Sequence, residues 1–79
     1  MQNVLYLRED HIKLGQALKA AGLVESGADA KLEIQCGRVM VNGYVEVRRG
    51  RKLVEGDVVE LLSGESVEIV SMQQPDAEV

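Results

Sequence analysis

Residues 38–52 read RVMVNGYVEVRRGRK, and the Asn42-Gly43 pair within them decides the fold. Apolar and polar residues alternate on either side of it, in RVMV (38–41) and YVEV (44–47), at the period of two expected of half-buried strands. Asn-Gly supplies the two positive-φ positions of a tight hairpin turn, so the stretch is predicted to be two antiparallel strands. A strict two-residue turn would set Val41 against Tyr44 and Val39 against Glu46. The apolar face would be continuous only if Val39 and Val41 met Val45 and Val47. The pattern therefore predicts a bulge or a slightly longer loop.

Upstream, the apolar period changes to that of a helix. Ser26 and Asp29 form an S-x-x-D version of a capping box, with the carboxylate at the positive end of the helix dipole. Ala30, Ile34 and Leu32 are expected on the buried side of this helix, and Gly37 is its natural stop. Before it, Leu14, Ala17, Leu18 and Ala21 recur at helical spacing and Gly22 stands where a left-handed cap would sit. The four residues LVES (23–26) connect the two as a helical hairpin. The apolar VLYL (4–7) precedes them as a short strand.

Downstream, Gly50, EGD (55–57) and SGES (63–66) punctuate two further alternating runs, VVELL (58–62) and VEIV (67–70). The fold class that follows is α+β, a helical hairpin packed on a small antiparallel β-sheet. Residues 1–72 are read as a single domain. QQPDAEV (73–79) contains the only proline, has no periodicity and is expected to be a disordered acidic tail.

The chain has 79 residues, 46% of them hydrophobic but only two aromatic, Tyr6 and Tyr44. Its core must then be built from Val, Leu, Ile, Ala and Met. A domain of this size buries about 60% of the surface its unfolded chain exposes, which leaves little room for an elaborate catalytic cleft. One cysteine, Cys36, and one histidine, His11, furnish neither an internal disulfide nor a four-ligand zinc site. No metal or cofactor is expected. The absence of a signal-like N-terminus and of a run of about 20 apolar residues points to a cytoplasmic protein without a membrane partner.

The formal net charge of −4 hides a division along the chain. Residues 1–37 carry four basic and five acidic groups, residues 38–52 five and one, and residues 53–79 none and seven. Because charges are screened over about 8 Å in physiological salt, a phosphate responds to the local patch and not to the distant acids.

No catalysis is expected: His11 lies beside Asp10, but neighbours in sequence do not face one another on a helix, and no serine or cysteine has an evident base. His11 is read as a solvated residue ahead of the first helix, and Cys36 as a small buried hydrophobe. Glu55, Asp57, Glu60, Glu65 and Glu68 alternate with apolar residues or occupy turns, as on a solvated sheet face. SGADAK and RRGRK match no phosphate-binding glycine loop.

What remains is the basic set: Arg48, Arg49, Arg51 and Lys52, with Arg38 at the root of the preceding strand and Lys13 and Lys31 on the helices. Such a run also blunts an exposed strand end. Its mutual repulsion nevertheless calls for a compensating acid or phosphate, and arginine presents the planar fork suited to phosphate. With so few aromatics, stacking of single-stranded bases is disfavoured and recognition of backbone and shape is favoured. Four or five phosphate contacts would give affinity a log-log salt slope of roughly −3 to −4.

IKLGQALK (12–19), SGADAK (26–31), GRVMVNG (37–43) and VRRGRKLVEGDVV (47–59) together resemble the alpha-L RNA-binding domain named after small-subunit ribosomal protein S-four. The resemblance covers roughly residues 12–62 and is closest to the small stand-alone bacterial members of the YbcJ type. It implies two helices on a small antiparallel sheet that grip structured RNA, ribosomal or transfer RNA being the candidates. Lys13 and Lys31 match basic positions of the two helices, and Asn42, Gly43, Gly56 and Asp57 match turns. Arg48, Arg49, Arg51 and Lys52 match the basic run of the stand-alone members. Gly15 and Gln16 depart from the Asp and Lys often found there, and Gly27 and Gln35 from basic residues of the second helix. The expected function is non-catalytic RNA binding through Lys13, Lys31, Arg38, Arg48, Arg49, Arg51 and Lys52. The alternative is an adaptor that docks an acidic protein partner through the same patch.

Overall fold

The structure is a computed structural model that describes residues 2–71. The expected tail, 73–79, falls outside the described residues. The elements run β1 (Gln2–Leu7), β2 (Ile12–Lys13), α1 (Leu14–Ala20), α2 (Gly27–Gln35), β3 (Val39–Val41), β4 (Tyr44–Val45), β5 (Lys52–Leu53), β6 (Val58–Leu61) and β7 (Ser66–Ser71). The helical hairpin packs on a five-stranded sheet of order β1-β7-β6-β3-β4. The β7–β6–β3–β4 ladders are antiparallel, as expected, and β1 adds to β7 in parallel, Gln2 opposite Ser66 through Leu7 opposite Ser71. A separate two-stranded ladder pairs β2 with β5.

Both helices stop by one device. At the end of α1, the Gly22 N–H donates to Lys19 O at 3.0 Å and the Leu23 N–H to Leu18 O at 2.9 Å. At the end of α2, the Gly37 N–H donates to Ile34 O and the Arg38 N–H to Glu33 O, each at 3.1 Å. This is the Schellman motif, whose left-handed residue must be cheap to place at positive φ. Gly22 and Gly37 both lie at φ 75°. The start of α2 is the predicted cap, Ser26 Oγ accepting from the Asp29 N–H at 3.1 Å.

The core consists of Leu7, Leu14, Ala17, Leu18, Ala30, Ile34, Val39, Val41, Leu53, Val59, Leu61, Val67 and Ile69. Val, Leu, Ile and Ala suffice for it; Met40 is only half-buried and both tyrosines are exposed. Leu32 corrects the expectation that it is buried, being 57% exposed. It lies two residues from both Ala30 and Ile34, about 200° round the helix from each, and so on the opposite face. Cys36 is likewise exposed and not a buried hydrophobe, because as the C-terminal cap of α2 it stands beyond the Ala30–Ile34 stripe.

The Asn42-Gly43 hairpin corrects the expected bulge. Met40 pairs with Val45 and Val41 with Tyr44, a strict two-residue turn with φ of 54° at Asn42 and 87° at Gly43. The turn is locked from outside the hairpin. The Asn42 N–H donates to Val58 O, its Oδ1 accepts from the Val58 N–H at 2.9 Å, and its Nδ2 donates to Asp57 Oδ1 at 3.0 Å. This register leaves Val45 and Val47 exposed and places Glu46 opposite Val39, its N–H donating to Val39 O at 3.0 Å.

Candidate nucleic-acid interface

Glu46 is the acid that the arginine run requires. Only 7% exposed, it is the one buried charged residue among those described. Its Oε2 accepts from the Arg48 N–H and from Arg48 Nε, both at 3.0 Å; its Oε1 accepts from Arg48 Nη2 at 3.1 Å and Arg51 Nη1 at 3.0 Å. A buried carboxylate is tolerated only when its lone pairs are satisfied in this way. The hydrogen bond from Arg48 is the largest cause that holds the Glu46 carboxyl down to about 2; Arg51 adds to it against the opposing effect of burial. The same bond raises the pKa of Arg48.

The turn that carries the arginines is anchored a second time, on the first helix. The Arg51 N–H closes the turn on Arg48 O at 3.2 Å. Arg51 O then accepts from the Leu14 N–H at 2.8 Å and Arg49 O from the Gly15 N–H at 3.1 Å. Two of the orphan donors of α1 are thus satisfied by the backbone of the arginine turn, and Gln16 Oε1 accepts from the Lys13 N–H at 3.4 Å. Approach is close at Gly15, where an added Cβ would stand 2.8 Å from Arg49 Cγ. The Gly15 that departs from the Asp often found at this position therefore makes room for the stem of Arg49.

Between α1, the start of α2 and this turn lies a groove of about 460 Å³. Lys13, the N-cap of α1, lines it with Gly15, Gln16 and Lys19 of that helix, Gly27 and Ala30 of α2, and Arg49 and Gly50 of the turn. Lys13, Gln16 and Lys19 follow at intervals of three and so share a face of the helix. None of the lining residues is acidic. Lys52 stands directly across the β2–β5 ladder from Lys13, a like-charge pair that is unfavourable unless an opposite charge relieves it. The larger hollow of about 760 Å³ beside β1 is lined mainly by apolar and neutral residues, with Arg8 offset by Glu9, and lacks such a concentration of charge.

The predicted basic residues therefore separate into groups. Lys13 and Arg49 meet in the groove and Lys52 adjoins Lys13. Arg48 and Arg51 are bound to Glu46. Arg38 is ion-paired with Glu33 at 3.1 Å across the end of α2, and Lys31 is exposed on α2, one helical turn from Gly27. Two residues of the arrangement carry no signal in the basic run: Lys19, which the helical spacing from Lys13 through Gln16 could have brought in, and Glu46, whose offsets of two and five to Arg48 and Arg51 were the available clue.

His11 is half-buried and pairs with Asp10, Nδ1 to Oδ1 at 2.9 Å, an interaction open to sequence neighbours because neither residue is helical. The hydrogen bond with His11 is the largest cause that lowers the Asp10 carboxyl. Among the described residues no group of three or more His, Cys, Asp or Glu is placed to hold a metal ion, and no helix is long and apolar enough to cross a membrane.

The S4 domain model matches residues 5–70. The chain is 41% identical over 71 residues to the "Probable ribosome maturation protein RlbA" of Bacillus subtilis (strain 168), covering 90% of this chain and 100% of that protein. It is 42% identical over 64 residues to the "Putative RNA-binding protein YbcJ" of Escherichia coli (strain K12), covering 81% and 90%. The solution structure of YbcJ from E. coli, said to reveal an "alfaL motif involved in RNA-binding", aligns with a TM-score of 0.63 and 40% identity, covering 87% of this chain and 85% of that one. The helical hairpin, the locked Asn-Gly turn and these likenesses, which span almost all the described residues, lead to one conclusion: the chain belongs to the S4-domain family of non-catalytic modules, among its small alpha-L members.

Proposed function

We propose that this protein binds folded RNA, ribosomal or transfer RNA, without catalysis, and acts in the cytoplasm as an assembly or maturation factor of the ribosome. The observation that carries the reading is the meeting of cations from separate segments on one surface, Lys13 from the start of α1, Arg49 from the turn and Lys52 from β5. Lys31, Arg38, Arg48 and Arg51 extend the proposed contact set. The maturation role draws on the name of the Bacillus subtilis relative, and the RNA partner on the family and on YbcJ.

Charge supports RNA in spite of the acidic total. A groove with no acid in its lining presents a local positive field, and the acidic β6–β7 side of the sheet disfavours indiscriminate attachment to nucleic acid. Both tyrosines lie outside the groove lining, which favours backbone and shape over stacked bases.

The test is a binding titration of the full chain with a folded transfer RNA and with folded fragments of ribosomal RNA, against a DNA duplex of equal length. Saturable binding to RNA at low salt, several-fold tighter than to the duplex, is the expected result. Absence of RNA binding at 50 mM salt overturns the reading. A pull-down that keeps its protein partners after nuclease treatment, from a chain that binds no RNA, would instead establish the adaptor.

A further inference from the structure

We infer that the groove between α1, α2 and the arginine turn seats consecutive phosphates of the RNA strand, with Arg49, Lys13 and Lys19 as the contacting cations and Gly15 as the residue that positions Arg49. The inference rests on the RNA-binding reading above and divides the labour within it. Arg48 and Arg51 share one compensating carboxylate, Glu46, and Arg38 is ion-paired with Glu33, so part of their charge is already offset within the protein. Among the described residues the side chains of Arg49, Lys13 and Lys19 form no ion pair, and these three surround one groove.

Each part of the groove suits a phosphate chain. Its cations come from two segments, Lys13 and Lys19 from the N-cap and body of α1 and Arg49 from the turn. From α2 it is lined by Gly27 and Ala30, small residues that let a strand approach the helix closely. No aromatic ring lines it, so bases find no aromatic stacking platform, and the contact carries shape and charge but little sequence information. The cross-strand repulsion of Lys52 on Lys13 is relieved when a phosphate enters.

Gly15 links the helix to the cation. Its N–H holds the Arg49 carbonyl and its bare Cα admits the Arg49 stem, which keeps that side chain in the lining of the groove. A methyl group at residue 15 would meet Arg49 Cγ at 2.8 Å and turn the side chain out of the groove.

The experiment measures affinity for one folded transfer RNA at several salt concentrations for the wild type, Lys19→Gln, Arg49→Gln, Gly15→Ala and the Gly15→Ala, Arg49→Gln double variant, with circular dichroism to verify folding. Loss of one phosphate contact lowers the magnitude of the log-log salt slope by about 1 and weakens binding roughly three- to tenfold near 0.1 M salt. Lys19→Gln and Arg49→Gln are each expected to do so. Gly15→Ala is expected to reproduce the loss of Arg49→Gln, with no further loss in the double variant. A scrambled sequence that keeps the RNA fold should bind as the original does. Wild-type slopes and affinities in folded Lys19→Gln and Arg49→Gln overturn the groove, and additive losses in the double variant overturn the role of Gly15. A wild type that binds no RNA fails the underlying reading instead, so the failures are distinguishable.

Discussion

Asn42 and Asp57, from two different turns, are joined by a side-chain hydrogen bond of 3.0 Å. Each also holds its surroundings: Asn42 exchanges two hydrogen bonds with the backbone of Val58, and Asp57 Oδ2 accepts from the Val54 N–H at 2.9 Å. The VNG and EGD motifs are thus two halves of one lock that sets the β3–β6 register.

Asn42→Ala removes the side chain from both its partners and leaves a non-glycine residue at φ 54°. The expected cost is about 2–3 kcal/mol, from two lost hydrogen bonds and backbone strain. Asn42→Gly is expected to recover part of it, because glycine relieves the strain but not the lost bonds. Urea unfolding of the two variants beside the wild type measures both quantities; equal stabilities for all three would refute the lock.

Glu46 makes stability depend on acid. Its carboxyl has a pKa of about 2 in the folded chain against an ordinary value of 4.5. A depressed folded-state value means that the stabilisation is fully present above pH 4.5 and is lost as pH falls toward 2. Glu46→Gln should therefore be less stable than the wild type at neutral pH by about 1–2 kcal/mol. The figure is kept low because the Arg48 partner is 73% exposed and screened by water. Below pH 4.5 the two unfolding curves should converge, and a difference independent of pH would remove the ion cluster as its cause.

Leu32 and Cys36 provide a test of the helix orientation. Leu32→Gln and Cys36→Ser should each change stability by no more than about 0.5 kcal/mol, because both side chains face solvent. Ile34→Ala, on the buried stripe of the same helix, should cost about 2–5 kcal/mol. Thermal melts of the three variants would reveal a rotated helix by reversing that order.

How far the sequence disclosed this fold depended on how local the determinants were. Ser26 with Asp29, the glycines at 22 and 37, and Asn42-Gly43 act within a few residues, and their elements stand where the pattern put them. The register of the hairpin failed for a physical reason. A continuous apolar face would need Val45 and Val47 opposite Val39 and Val41, and the alternation of a strand does not disclose that two arginines fold back onto a Glu46 carboxylate buried opposite Val39. The candidate site was half legible: Arg49 and Lys52 stand out by charge density, and Lys13 as a basic residue at the first helix that the resemblance also singles out. Lys19 joined them only when packing brought α1 against the arginine turn, and the parallel partner of β1 likewise depends on tertiary contact.

The parallel pairing of β1 with β7 orders the events of folding. Most contacts of the helical hairpin and of the β3–β4 hairpin are local, whereas β1 hydrogen-bonds to the most sequence-distant strand among those described. Closing so long a loop is entropically slow, and a chain growing from its N-terminus must leave the apolar face of β1 waiting until β7 has been made. In pulse-labelled hydrogen exchange during refolding, the amides of residues 3–7 should gain protection after those of α1, α2 and β3. Simultaneous protection of all four segments would instead place β1 in the folding nucleus. The Gln2–Leu7 strand is then the latch of the domain, the piece whose arrival turns a half-built sheet into one able to hold the groove in shape.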